Sequence, residues 1–167
     1  MLRRNITMTA VDHRRLEDLL ASESARVAGP SAWLADLKAE LDRAKIVSPA
    51  DVPGNVVTMD STVMLRDIDT DEVEMYTLVY PERADIANNQ LSVLAPVGTA
   101  ILGYQIGDEV GWRVPAGWRR LRIEQVLYQP ERQGASPPVS DGGSNYWPSR
   151  VMADANSDQT ITLGANP

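Results

Sequence analysis

The spacing of apolar side chains changes once along the chain, from a helical period before residue 47 to a strand period after residue 55. Residues 11–27 and 32–45 each repeat apolar side chains at steps of three and four, which is typical of one face of a helix. These positions are Leu16, Leu19, Leu20 and Val27 in the first stretch and Leu34, Leu37, Leu41 and Ala44 in the second. Because Gly29-Pro30 separates the stretches, residues 1–47 are predicted to form a short antiparallel helical hairpin. The sequence leaves open whether this hairpin projects or packs on the rest of the chain.

Residues 48–55 hold Pro49, Pro53 and Gly54 and are predicted to be a linker. Beyond them the apolar period becomes two, the period of strands with one buried face. Strands are predicted over residues 56–59, 62–65, 73–80, 109–114 and 118–128. Residues 56–131 are therefore expected to form a small antiparallel sheet domain, and the fold class is α+β.

The apolar stretch 91–107 is expected to begin as a strand and continue as a short helix over about residues 97–102. Pro96 suits the first helical turn, where a backbone N–H has no partner. Gly103 suits the position after the last turn, which often needs a left-handed conformation. On local chemistry alone, a core segment with a connection is favoured over a docking surface, because apolar runs are usually buried.

Composition and charge exclude several classes of function. Residues 48–130 carry six basic and twelve acidic side chains, a net charge of −6, so direct binding to nucleic-acid phosphates is not expected. The chain has no cysteine, which suits a reducing cytoplasm. No apolar run is long enough to span a membrane. Residues 132–167 are dominated by Ser, Gly, Asn, Pro and Asp and are predicted to be a disordered, flexible tail.

The sequence offers little catalytic chemistry, and no catalytic residue, metal site or cofactor is predicted. His13 is the only histidine, and its polar helix face favours a solvated surface role. Asp67, Asp69 and Asp71 have the spacing of a calcium loop. However, Glu72 stands where that loop needs glycine, and residue 78 is Leu instead of the bidentate glutamate. A solvated acidic turn is the favoured interpretation.

Several short motifs together resemble the nucleoside diphosphate kinase regulator (Rnk) family, which is related to the Gre-type transcription elongation factors. The motifs are VTMDS at 57–61, YTLVYP at 76–81, AD at 84–85, SVLAPVG at 92–98, AILG at 100–103, GD at 107–108, PAG at 115–117 and LYQPE at 127–131. The resemblance covers roughly residues 4–132 and does not include the tail. It implies that the sheet domain has an FKBP-like fold without isomerase activity.

The resemblance also implies a partner, bacterial RNA polymerase, held at the rim of its secondary channel. The residues that would face the polymerase are Asp85, Leu94, Ala95, Pro96 and Val97. Gre factors usually carry serine at the position of Ala95, so a hydrogen bond from that side chain is absent here. A polymerase-binding regulator without its own catalysis is the favoured function. The alternatives are a transcript-cleavage factor, a prolyl isomerase and a regulator of nucleoside diphosphate kinase.

The predicted hairpin tip separates regulation from transcript cleavage. Cleavage factors carry paired acids at the tip to help hold a catalytic magnesium ion, and hard carboxylates suit that ion. The tip here consists of Arg26, Val27, Ala28, Gly29 and Pro30. Since it has no acid, the sequence predicts a factor that occupies the channel mouth without stimulating cleavage.

Overall fold

A computed structural model describes residues 6–23, 25, 32–114 and 117–133. The chain begins with strand β1 (Thr7–Thr9), helix α1 (Ala10–Leu20), helix α2 (Ala32–Leu41) and strand β2 (Lys45–Val47). It continues with strands β3 (Thr62–Asp67), β4 (Val73–Val79) and β5 (Gln90–Ser92), then helix α3 (Pro96–Ile101). Strands β6 (Glu109–Val114) and β7 (Gly117–Tyr128) and helix α4 (Pro130–Gln133) complete the described part. The predicted α+β class agrees with this order.

The two N-terminal helices begin where the sequence predicts and pack against each other, but α1 ends at Leu20 and α2 at Leu41, before the predicted ends near residues 27 and 45. Thr9 caps α1, because its hydroxyl accepts a hydrogen bond from the Asp12 amide at 3.2 Å. Leu16, Leu37 and Leu41 are fully buried, as the leucine spacing predicts. The hairpin tip, Arg26 to Pro30, lies outside the described residues, so the hairpin and its tip stay predictions. Most of the predicted tail also lies outside them.

Strands β1 and β2 pair in parallel, with Thr7 opposite Lys45 and Thr9 opposite Val47. The sequence does not predict β2, because residues 45–47 fall at the end of the second predicted helix and the start of the linker. Three residues are too few to show a strand period, and their partner lies far away along the chain. The pairing places the residues that follow α2 beside the residues that precede α1.

The main sheet has five strands in the order β5-β4-β3-β7-β6. Its pairings are antiparallel except that β4 and β5 run parallel, so the prediction of a purely antiparallel sheet was wrong. Residues 56–59 are also not a regular strand. They lead into a turn in which Asp60 has a left-handed backbone (φ 61°) and donates its amide hydrogen bond to Leu78.

One apolar core joins the N-terminal helices to the inner face of the sheet. Ile6, Met8 and Leu37 belong to the same buried cluster as Val57 and Ile101. The core therefore crosses the predicted linker at 48–55. The Gln129 side chain holds the end of this linker in place, because its Nε2 donates to the carbonyl oxygens of Pro53 and Val56, both at 2.9 Å.

Candidate functional site

The predicted docking residues flank β5, the strand at one edge of the main sheet. Asp85 lies in the loop that leads into β5, and Leu94 to Val97 follow the strand. The backbone of the loop is fixed, because Asp85 and Gln90 exchange two main-chain hydrogen bonds of 3.0 and 2.8 Å. We call residues 81–98 the β5-edge surface.

The Asp85 carboxylate is exposed and held in one orientation. One oxygen accepts from the Ala87 amide at 3.1 Å, and the other accepts from the Asn88 side chain at 2.7 Å. The first contact caps a single 3₁₀ turn, Ile86–Asn88, which ends at Asn89 in a left-handed conformation (φ 57°). Local hydrogen bonding therefore presents a fixed negative charge at the sheet edge.

A tight turn links β5 to α3 and positions Ala95 and Pro96. The Ser92 hydroxyl accepts from the Leu94 amide at 3.1 Å, and the Ser92 carbonyl accepts from the Ala95 amide at 3.0 Å. Pro96 occupies the first turn of α3, as predicted. Ala95 is the N-cap of this helix, and its side chain makes no capping hydrogen bond. Because alanine replaces serine at position 95, α3 has no side-chain hydrogen bond at its N-cap.

Helix α3 approaches β5 closely because residue 98 is glycine. An added Cβ at Gly98 would overlap the Ser92 carbonyl oxygen and lie 3.1 Å from Val93 Cα. The next residue secures the contact, since the buried Thr99 hydroxyl donates to the Val93 carbonyl at 2.7 Å. After the helix, Gly103 has φ 77° and lies against Ile6. The small residues of the stretch therefore fix the position of α3.

Burial divides the five predicted docking residues into two groups. Val97 and Leu94 are only 1% and 9% exposed, so they belong to the core. Ala95 and Pro96 are half-buried and Asp85 is exposed. A partner in contact with this edge would touch the last three. Val97 belongs to the same buried cluster as Val93 and Ile101, so this side of α3 faces the core.

Sequence reasoning missed Ile86, which is 54% exposed beside Asp85. The sequence does contain a signal for it. A branched apolar residue within a loop of small and polar residues has few apolar neighbours to pack against, which indicates exposure. With Ala95 and Pro96 it adds apolar area to the β5-edge surface. Apolar area next to a fixed charge is typical of protein-binding patches.

Strand addition is an unsuitable binding mode for this edge. Both main-chain groups of Gln90 are already bonded to Asp85, and the Ser92 carbonyl already accepts from Ala95. Short, covered edge strands of this kind resist pairing with other chains. Binding at the β5-edge surface would therefore rely on side chains.

Two of the predicted solvent-exposed groups have structural roles instead. Asp67 is buried, and its carboxylate accepts from the amides of Asp69 and Thr70 and from Arg119 at 2.8 to 3.1 Å. The prediction of a solvated acidic turn was therefore wrong for Asp67. His13 is half-buried, with Nε2 2.9 Å from the Leu41 carbonyl oxygen, so it links α1 to α2.

The described ranges contain no cluster of three or more His, Cys, Asp or Glu side chains arranged to hold a metal ion. Within the same ranges, no helix is both long and apolar enough to cross a membrane. Glu23 and Asp36, the acids nearest the predicted tip, are both exposed.

Two family models match consecutive parts of the chain. The first, "Rnk N-terminus", matches residues 4–47. The second, "Transcription elongation factor, GreA/GreB, C-term", matches residues 52–128. The gap between the two matches falls within the predicted linker.

The chain is similar to curated proteins of both kinds. It is 43% identical over 135 residues to the regulator of nucleoside diphosphate kinase of Escherichia coli K12, which covers 80% of this chain and 97% of that protein. It is 32% identical over 93 residues to transcription elongation factor GreA of Syntrophotalea carbinolica, covering 56% of this chain and 59% of that protein. A solved structure of a GreA/GreB elongation factor from Nitrosomonas europaea matches with 42% identity and a TM-score of 0.64. That match covers 75% of this chain and 99% of the other.

Proposed function

Because the chain belongs to the family of regulators of nucleoside diphosphate kinase, related to GreA and GreB, we propose that it binds bacterial RNA polymerase and regulates transcription. Docking would occur near the secondary channel through the sheet domain, in the cytoplasm. The FKBP-like character of that domain is part of the same proposal.

The observation that carries this proposal is the β5-edge surface. It combines an oriented carboxylate on Asp85 with the half-buried pair Ala95 and Pro96. The exposed Ile86 lies next to the carboxylate. An acidic group beside a small apolar area suits a partner surface with a basic side chain next to an apolar one.

The net charge supports a protein partner over nucleic acid. Residues 48–130, which include the β5-edge surface, have a net charge of −6. Phosphate binding draws its affinity from Lys and Arg contacts, and the excess of acidic side chains in this region opposes it. The domain is instead suited to a basic protein surface.

We further propose that the protein does not stimulate transcript cleavage. The support is the sequence of the predicted tip, Arg26 to Pro30, which contains no carboxylate. Without paired acids the tip cannot supply ligands to a catalytic magnesium ion. The protein would then act by occupying the channel mouth and competing with other factors there.

Binding is tested by fluorescence anisotropy of the labelled protein titrated with bacterial core RNA polymerase. Wild type is expected to bind, and Asp85→Asn to bind about tenfold more weakly, the effect of losing roughly 1.4 kcal/mol. Asp69→Asn is the matched control, because Asp69 is an exposed acid in the turn before β4, whose opposite end pairs with β5. An absence of binding by wild type contradicts the proposal.

Cleavage is tested by adding the same proteins to backtracked transcription complexes. No shortened transcript is expected above the level of polymerase alone. Stimulated cleavage by wild type would refute the non-catalytic part and favour the Gre-type alternative.

A second candidate function follows from the printed name of the similar E. coli protein, a regulator of nucleoside diphosphate kinase. It predicts a change in phosphate transfer by that kinase when this protein is added. An unchanged rate at saturating protein excludes a direct effect and leaves regulation through transcription.

A further inference from the structure

Three contacts join α1 to the chain that leads into the β5 edge. The Tyr80 hydroxyl donates to Asp12 Oδ1 at 3.1 Å. The Arg15 guanidinium lies 3.9 Å above the centre of the Tyr80 ring, and Arg15 Nη2 is 3.5 Å from Glu82 Oε1. We call Asp12, Arg15, Tyr80 and Glu82 the clasp.

The inner half of the clasp is shielded from water. Tyr80 is 2% exposed. Burial raises the pKa of its hydroxyl, and the nearby Asp12 carboxylate raises it further, so the hydroxyl stays protonated and keeps donating. Asp12 is fixed in turn by Thr9, whose hydroxyl donates to its second oxygen at 3.0 Å. The Tyr80–Asp12 contact therefore joins a buried donor to an acceptor that Thr9 also holds.

The outer half of the clasp is accessible to solvent. The Arg15 and Glu82 side chains are 50% and 62% exposed. Exposed ion pairs contribute little stability, because water screens them and both side chains lose conformational freedom. Another cation could replace Arg15 at Glu82 without a large cost.

Glu82 and Asp85 lie close together on the same ordered segment of the β5-edge surface. Glu82 belongs to the 3₁₀ turn Pro81–Arg83, and Asp85 caps the next turn, Ile86–Asn88. Both side chains are exposed and lie three residues apart, so a basic partner surface at Asp85 is within reach of the Glu82 carboxylate.

We propose that docking at the β5-edge surface displaces Arg15 from Glu82 and loosens α1. The clasp would thus transmit the effect of docking from the sheet edge to the N-terminal helices. This inference rests on the proposed polymerase binding. Arg15 then loses only its contact with Glu82, while the Tyr80 contacts and the shared core keep the helix folded. The expected change is a local loosening of residues 10–20.

Hydrogen–deuterium exchange of the full chain, alone and with core RNA polymerase, tests the inference. On docking, residues 85–98 should become protected while residues 10–20 exchange faster, by up to about fivefold for the loss of an exposed ion pair. Glu82→Gln should show the faster exchange of residues 10–20 already in the free protein, with no further increase on docking.

Glu109→Gln is the matched control, because Glu109 on β6 is also an exposed acid in an ion pair, 2.6 Å from Arg122 on β7. It should exchange like wild type in residues 10–20. If polymerase does not protect residues 85–98, the proposed docking and the clasp inference fall together. If residues 85–98 are protected and residues 10–20 do not accelerate, only the clasp inference falls. Wild-type exchange in free Glu82→Gln also overturns it.

Discussion

Gly98→Ala tests the close approach of α3 to β5 that fixes the β5-edge surface. The added methyl carbon would overlap the Ser92 carbonyl oxygen, lie 2.9 Å from its carbon and 3.1 Å from Val93 Cα. All three neighbours are backbone atoms, so no side chain can rotate away. Ordinary carbon contacts of about 3.5–4.0 Å require α3 to move outward.

The expected net cost is about 1–3 kcal/mol. Overpacking costs roughly 1–3 kcal/mol, and displacement weakens the buried Thr99 hydrogen bond to Val93, which adds about 1 kcal/mol or more. The higher helix propensity of alanine returns somewhat under 1 kcal/mol. Because Ala95 and Pro96 move with α3, polymerase binding should weaken too.

Urea unfolding followed by circular dichroism measures this cost. Gly111→Ala is the control, because an added Cβ there meets its nearest atom at 3.6 Å, an ordinary contact. It should change stability by about 0.5 kcal/mol or less, as substitutions without strain do. Equal unfolding midpoints for the two variants would refute the close approach.

Three further substitutions test other parts of the account. Ala95→Ser should stabilise the protein by about 1 kcal/mol in thermal unfolding, since it adds a hydroxyl at the uncapped N-terminus of α3; no gain would mean that the cap geometry differs. Asp67→Ala should cost about 3 kcal/mol or more in urea unfolding, because Arg119 and two turn amides lose their acceptor; a cost near that of an exposed acid would contradict its burial. Burial raises the pKa of Glu131 above its ordinary value, so its contribution to stability is fully present below that value and is lost as pH rises through the raised pKa. Glu131→Gln should therefore gain stability relative to wild type in urea titrations as pH rises above the ordinary glutamate value of 4.5, and a constant difference would contradict this.

The sequence predicted the elements that have a strong period or clear end signals. The leucine spacing predicts α1 and α2, and Pro96 with Gly103 predicts α3 to within one residue at each end. The strand period likewise predicts β3, β4, β6 and β7. Each of these signals is local, so neighbouring residues alone reveal them.

Features that depend on distant partners were not predicted. Strand β2 exists through its pairing with β1. Asp67 is buried because Arg119, far along the chain, supplies a countercharge. Spacing could not show that Val97 is buried while Pro96 is only half-buried, since that depends on how α3 packs. The clasp likewise joins Asp12 to Tyr80, two residues that lie far apart along the chain.

The dissociation constant for bacterial core RNA polymerase tests the central claim most directly when Pro96→Asp is compared with Pro49→Asp. Both prolines begin a helical turn, so aspartate suits both positions, but only Pro96 belongs to the β5-edge surface. Pro96→Asp should weaken binding about tenfold or more, as expected for a charge placed within an interface. Pro49→Asp should bind like wild type. Equal binding by both variants and wild type would contradict docking through this surface.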